Sequence, residues 1–450
     1  MELAFEPRRS GEAVASGGGG TEPLAAKDVT ESPASERLME AVCARENLRK
    51  ALRRVMSNHG AAGVDGMRVD ELPRHLREHW GALREQLLSG AYKPRPVKRV
   101  DIPKADGGTR RLGIPTAVDR FIQQAILQVL QPAWDATFSE HSFGFRPGRS
   151  AHQAVARAQE YIVDGNNWVV DIDLEKFFDS VNHDVLMGRV AKRAQDKRLL
   201  KLIRAFLNAG VMENGLSSPT DKGTPQGGPL SPLLSNLLLD ELDRELEKRG
   251  HKFVRYADDC NIYVRSERAG RRVMENVTRF LSKKLRLKVN EEKSKVGEAA
   301  EREFLGFSFT SGEMRKRRIS PKAVNRFKKR VKKMTRRVKA VSIGRIVDEL
   351  NPYIRGWRNY FGFCETPSAL AKLDSWIRRR LRSIIWKQWK RGRVRYTELR
   401  KRNIPKDFAA MTAGSAHGPW RLSRSRALSS ALPNAFFDSL GLLRLAAKKA

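Results

Sequence analysis

Two adjacent aspartates, Asp258 and Asp259, sit in the stretch Phe253-Val-Arg-Tyr-Ala-Asp-Asp-Cys-Asn-Ile-Tyr-Val264, between two short apolar runs. The flanks are β-branched and aromatic and too short for a stable helix, so the pattern predicts two strands with the carboxylates at the bend. Neighbouring carboxylates repel unless cations neutralise them, and hard divalent ions with oxygen ligands are the natural partner. The alternative is a solvated turn, which flanks of buried character disfavour. A third carboxylate lies upstream, in Trp168-Val-Val-Asp-Ile-Asp173, a strand that runs into a polar turn. Asp173 emerges at the strand's end, and Asp171 faces the same side. Such a set can hold two Mg²⁺ ions about 3.5–4 Å apart, lowering the pKa of an attacking hydroxyl and stabilising the leaving oxygen of an in-line phosphoryl transfer. For Asp171 and Asp179, strand-edge and cap roles stay open.

The rest of the chain must position these groups on a strongly basic body. Lys plus Arg number 87 against 51 Asp plus Glu, a net charge of +36, with pI ≈ 10.6. A chain this basic repels itself unless it meets a polyanion, which points to nucleic acid. A membrane surface is the rival polyanion, but no run of 18 apolar residues and no signal peptide are found, so no membrane role is expected. Cys43, Cys260 and Cys364 are scattered, which gives neither a disulfide framework nor a zinc cluster and suits a reducing cytosol. Four consecutive glycines at 17–20 mark residues 1–36 as disordered. Helical spacing over 36–56 leads into a glycine-rich loop over 58–66. Residues 100–103 and 109–114 read as two strands joined by the hairpin signal Lys104-Ala-Asp-Gly-Gly108. Gly223-Thr-Pro-Gln226-Gly-Gly-Pro is a tight loop that feeds a helix over 230–247.

From Ser320 onward the pattern is helical. Ser320 caps, Pro321 takes the first helical position, and Val324, Phe327, Val331 and Met334 form one apolar stripe. Lysines, among them Lys328, Lys329, Lys332 and Lys333, fill the other faces. Further helices are expected over 346–361, 368–389 and 394–401. Trp357, Tyr360, Trp376, Trp386 and Trp389 interleave with arginines. They suit helix packing better than stacking on RNA bases.

The ordered motifs resemble those of group II intron-encoded reverse transcriptases, also called maturases, in their compact bacterial (class C-like) form without an endonuclease domain. Tyr256-Ala-Asp-Asp259 resembles the central motif. Residues 102–115 resemble the first fingers motif, and Phe143-Gly-Phe-Arg-Pro-Gly-Arg149 the next block. Residues 173–179 and 223–232 resemble the first two palm motifs, and Asn290-Glu-Glu-Lys293 and Phe304-Leu-Gly-Phe307 the last two. The resemblance covers roughly residues 37–450. It implies an α/β (α+β) right-hand polymerase fold: a fingers-palm domain with its N-terminal extension over 37–311, an α-helical thumb or maturase (X) domain over 312–402, and a small basic DNA-binding region over 403–450.

The resemblance also assigns roles. Asp173, Asp258 and Asp259 are implied as catalytic and, with Leu174, as contacts for two Mg²⁺, with no zinc. Lys104 and Arg110 are implied as triphosphate contacts, with Arg111 a near neighbour that could take Arg110's place. Gln226 lines the nucleotide. Phe178 lies under the sugar and selects dNTPs, unless it is simply core. Lys293 is either a general acid toward pyrophosphate or a charge partner. Gly306 belongs to a primer-grip turn, and Arg146, Arg149, Lys328, Lys329, Lys332 and Lys333 are candidate nucleic-acid contacts. The expected activity is RNA-directed DNA synthesis joined to assistance in intron splicing. Intron RNA, a DNA target or primer, and dNTPs are the expected partners, in a bacterial cytoplasmic ribonucleoprotein whose oligomeric state the sequence leaves open. A domesticated or defence-associated reverse transcriptase and a non-catalytic splicing cofactor are the alternatives. The intact carboxylate set argues against the latter.

Overall fold

The computed structural model describes residues 37–103, 108–213, 216–218, 223–224, 227–336 and 341–446. The segment 1–36, Lys104 with its turn, Gln226 and the side chain of Arg110 lie outside the described residues, so the expectations placed on them are not addressed by it.

In chain order the strands are β1 (Val97–Pro103), β2 (Thr109–Ile114), β3 (Trp168–Ile172), β4 (Val211–Glu213), β5 (Leu216–Ser218), β6 (Lys252–Tyr256), β7 (Asp259–Val264), β8 (Lys295–Glu298), β9 (Phe307–Phe309) and β10 (Arg317–Ile319). They form a fingers sheet of order β2-β1-β4-β5, a palm sheet of order β6-β7-β3-β8 and the hairpin β9-β10. The palm sheet is antiparallel throughout. Its period-2 alternation separates two cores. Val170, Ile172, Phe253, Cys260 and Ile262 face a core shared with helices Ala117–Asp135 and Ser231–Lys248. Val169, Val254 and Tyr263 face a second core that continues into the thumb.

The N-terminal helix is split in two. Helix Leu38–Val42 ends before an extended Ala44 (φ −63°, ψ 136°), and helix Arg45–Ser57 begins anew. The break is held by side chains: Asn47 Nδ2 donates to Val42 O (2.9 Å) and to Ala125 O (3.0 Å), and Asp196 accepts from Met39 N (3.0 Å). Those partners are distant in sequence, so helical spacing alone reads as continuous.

The thumb helices are Pro321–Met334, Ile343–Phe361, Pro367–Gln388 and Gly392–Arg400. Phe327 and Val331 of the apolar stripe are fully buried, while Val324 and Met334 pack at the rim of the same core. Beyond residue 403 the chain folds into short helices Lys406–Ala413, Pro419–Leu422, Arg426–Ala431 and Asn434–Ser439. Leu428, Leu432, Phe437 and Leu445 of this tail join the thumb core around Trp386. Asp374 accepts from Leu445 N (2.8 Å) and Ala446 N (3.0 Å). Among the described residues the tail thus packs onto the thumb's core.

Candidate active site

Register decides which side chains meet. Ile172 pairs with Cys260 and Asp171 with Asn261 across β3 and β7. Asp173, one residue past β3, therefore stands beside Asp259, and Asp171, Asn261, Asp173 and Asp259 share one face. Tyr256 pairs with Asp259, so Ala257 and Asp258 form the hairpin's tip. The backbone of Asp173 is anchored: its N–H donates to Ser294 Oγ (3.0 Å) and its carbonyl accepts from Asn290 N (2.8 Å). Lys293 Nζ lies 3.9 Å from Asp173 Oδ2, which is the geometry of a charge partner. Leu174 buries its side chain in the palm core, so only its backbone can face a ligand.

The carboxylates act on one another. Burial, followed by the charges of Asp171, Asp258 and Asp173, pushes Asp259 from 3.8 up to about 8. Burial also pushes Asp171 up to about 6, with Arg302 opposing and Asp173 adding to the rise. An all-oxygen donor set whose members repel each other fits a hard divalent cation. Among the described residues no three His, Cys, Asp or Glu side chains close into a ready metal-binding group.

A testable consequence concerns stability without metal. A carboxyl with a raised pKa in the fold stabilises it fully below the unfolded value near 4, and that contribution is lost as pH rises through about 8. In chelator at pH 8.5, Asp259→Asn should therefore melt above the wild type by about 2 °C or more, and the gap should close by pH 4. Differential scanning calorimetry measures this. A variant that melts lower at pH 8.5 would contradict the crowding of charge.

The Asp258–Asp259 tip rests on groups that sequence reading did not assign. Arg255 is fully buried beneath it and is paired with Asp243 on helix Ser231–Lys248. Arg255 N donates to His141 O (2.9 Å), and Arg255 O accepts from Phe143 N (2.8 Å). A Cβ on Gly144 would lie 2.2 Å from Ala257 N, so only glycine lets this block abut the tip. Arg146 is turned inward. Its guanidinium bonds Asp135 Oδ1 (2.8 Å), Asp135 O (2.8 Å), Ser139 O (2.5 Å) and Ser142 O (2.9 Å). With its donors turned to the protein and little surface exposed, Arg146 braces the loop. Arg149 is exposed; it donates to Glu140 O (3.2 Å) and leans over the Phe143 ring.

A cleft of about 530 Å³ opens between the fingers and palm. Phe178, Phe145, Leu112, Gly227, Arg120 and Gln124 line it. Phe145 reaches back to Tyr256, ring centroids 6.5 Å apart, so the cleft adjoins the catalytic hairpin. Phe177 and Phe178 are both buried in the palm core, and Phe178 also lines the cleft. The 223–232 loop is tied to the first palm motif by Thr224 N donating to Phe178 O (2.6 Å) and by His183 Nε2 meeting Gly223 O (2.6 Å). Gly227, at φ 131°, presses on Gly113 O, where a Cβ would sit 2.7 Å away.

Known families match both halves of this architecture. Residues 102–309 match "Reverse transcriptase (RNA-dependent DNA polymerase)", and residues 324–403 match "Group II intron, maturase-specific domain". Protein YkfC of Escherichia coli (strain K12) is 34% identical over 301 residues, 58% of this chain and 79% of that protein. The group II intron-encoded protein LtrA of Lactococcus lactis subsp. cremoris is 35% identical over 247 residues, 55% of this chain and 40% of LtrA. The chain belongs to the group II intron-encoded reverse transcriptases. A putative COX1/OXI3 intron 1 protein of Saccharomyces cerevisiae (strain ATCC 204508 / S288c) is 25% identical over 439 residues, covering 84% of this chain and 52% of that protein. The chain thus spans about half the length or less of these last two relatives.

In this reverse transcriptase the maturase-specific unit is the thumb. Trp357 and Trp386 are buried, and Tyr360, Trp376 and Trp389 pack against the same core. Arg395 sits over Trp386 and Arg402 over Trp389, which leaves the rings engaged in packing. Lys329, Lys332 and Lys333 are exposed, whereas Lys328 is half-buried with its Nζ 6.0 Å from the Trp376 ring. Gly306 takes φ 81° and lies under Phe361, whose ring would be 3.1 Å from a Cβ. Tyr360 Oη donates to Leu305 O (2.9 Å), so the thumb grips this turn from behind. No helix among the described residues is long and apolar enough to cross a membrane.

Proposed function

We propose that this reverse transcriptase copies group II intron RNA into DNA, and that it binds the same RNA to help it fold and splice. The observation that carries the catalytic reading is Asp259 standing beside Asp173 across the strand pair, with Asp258 next to it at the hairpin tip and Asp259 pushed up to about 8 by burial and its neighbours. Asp173, Asp258 and Asp259, with the Leu174 carbonyl, would hold two Mg²⁺, which when bound activate a primer 3′-OH and stabilise the departing pyrophosphate oxygen. Lys293 neutralises charge beside Asp173 and is proposed, on the family motif, to meet pyrophosphate. Lys104, Arg110 and Gln226 are proposed, on the family motifs, to bind the triphosphate and the base. Phe178 would close the wall beneath the sugar, where a 2′-OH would clash.

For the maturase role, the exposed lysines of helix Pro321–Met334 offer a phosphate-tracking face. The match to the maturase-specific domain supports this reading. A complex with its intron RNA, in a bacterial cytoplasm, is the setting proposed for it. Sequencing the RNA that co-purifies with the expressed protein tests the partner. A group II intron RNA enriched over bulk RNA is expected, and RNA in bulk proportions would contradict it.

Nucleotide choice gives a separate test. Phe178→Ala should raise the rNTP/dNTP ratio of kcat/KM by about tenfold or more, because differential contact at one atom sets discrimination. Single-turnover incorporation measures it. An unmoved ratio would make Phe178 a core residue only.

A further inference from the structure

We infer that Arg255 is a positioning residue for the catalytic tip, acting through the peptide that precedes Asp258. Arg255 lies on β6 and points away from the site, into the core beneath it. Its Nη1 donates to Ala257 O at 2.9 Å, and the same nitrogen bonds Asn236 Oδ1 at 2.9 Å. Nε and Nη2 form a bidentate pair with Asp243, at 2.7 and 2.5 Å. Arg255 and Asp243 have no exposed surface, and Asn236 is 1% exposed. Lysine could not reproduce this planar fork.

The bond to Ala257 falls where the backbone most needs holding. Ala257 takes φ 59°, a left-handed conformation that disfavours a residue with a Cβ. Strand pairing does not impose it, since the ladder closes at Tyr256 and Asp259. From the other side the tip is confined by Gly144, whose carbonyl accepts from Asn236 Nδ2 at 2.8 Å. Asn236 therefore links both restraints, and it lies on the helix that follows the nucleotide loop. The brace fixes where Asp258 and Asp259 stand relative to that loop. A misplacement of about 1 Å in such a site can lower the rate by about 100-fold.

The inference rests on the polymerase reading, which primer extension by the wild-type protein tests by itself. Removing one partner would strand a buried charge and could unfold the chain, so the main variant removes both: Arg255→Leu with Asp243→Leu. Replacing a buried pair by apolar residues is often tolerated. Arg255→Lys is the milder second variant. Both are assayed as full-length protein for thermal midpoint, RNA affinity, kcat, KM for dNTP and Mg²⁺ dependence, at a temperature below their melting. The expected result is a folded, RNA-binding protein whose kcat falls at least tenfold and whose half-saturating Mg²⁺ rises at least threefold, with KM for dNTP changed less than twofold. A folded variant with wild-type kcat and Mg²⁺ dependence would overturn the inference. So would activity that falls only in proportion to the unfolded fraction. If the wild type itself extends no primer, the polymerase reading fails instead.

Discussion

Asp258→Ala and Asp259→Ala should each lower dNTP incorporation on a primed RNA template by roughly a thousandfold or more, about 4 kcal/mol of transition-state stabilisation. The loss should fall on kcat, because the carboxylates act on the reacting phosphate and contribute little to holding the duplex. RNA affinity should stay within about twofold, since the phosphate contacts are proposed to lie on the thumb. Neither variant should unfold. Asp258 sits at the tip, and Asp259 is held in the fold against burial and the charges of its neighbours. Rapid-quench extension and filter binding on the same preparations measure both quantities. Substantial extension by either variant would remove these residues from the chemistry.

The second large effect concerns RNA binding. Reversing Lys328, Lys329, Lys332 and Lys333 to Glu alters one face of helix Pro321–Met334 while leaving Phe327 and Val331 in the core. If these lysines neutralise about four phosphates, the slope of log affinity against log salt should flatten by about 3. Intron RNA affinity at moderate salt should drop by more than about tenfold. Splicing at low Mg²⁺ should fall with it, whereas extension on a short primed template should suffer less, because the palm is untouched. Lys328 also loses its contact with Trp376, so a Lys328→Met control separates packing from charge. Unchanged affinity and splicing in a folded variant would leave this face as solvated surface.

What the sequence carried was local. Asp258 and Asp259 lie between period-2 flanks, and Asp173 ends a β-branched run; the strands formed where those patterns lie. The thumb's stripe predicted its helix because an amphipathic period needs no distant partner. What escaped depends on partners far along the chain. Arg255 stands out as a polar residue in an apolar run, but its partners Asp243 and Asn236 lie on another element, and no spacing rule connects them. Arg146 looked like a free cation in a Pro-Gly loop until Asp135, eleven residues earlier, proved to hold it. In the tail, Leu428, Leu432 and Phe437 are sparse enough in sequence to hide the core they share with the thumb. Single charged residues in a basic chain read alike on paper, and burial separates them.

At the centre stands DNA synthesis by this palm on an RNA template. Its most direct test is extension of a DNA primer on a defined RNA by the purified wild-type protein, with Mg²⁺ and four dNTPs, followed by sequencing of the product. DNA complementary to the template, abolished by chelator and by Asp259→Asn, is the predicted result. No extension, or tails unrelated to the template, would contradict it.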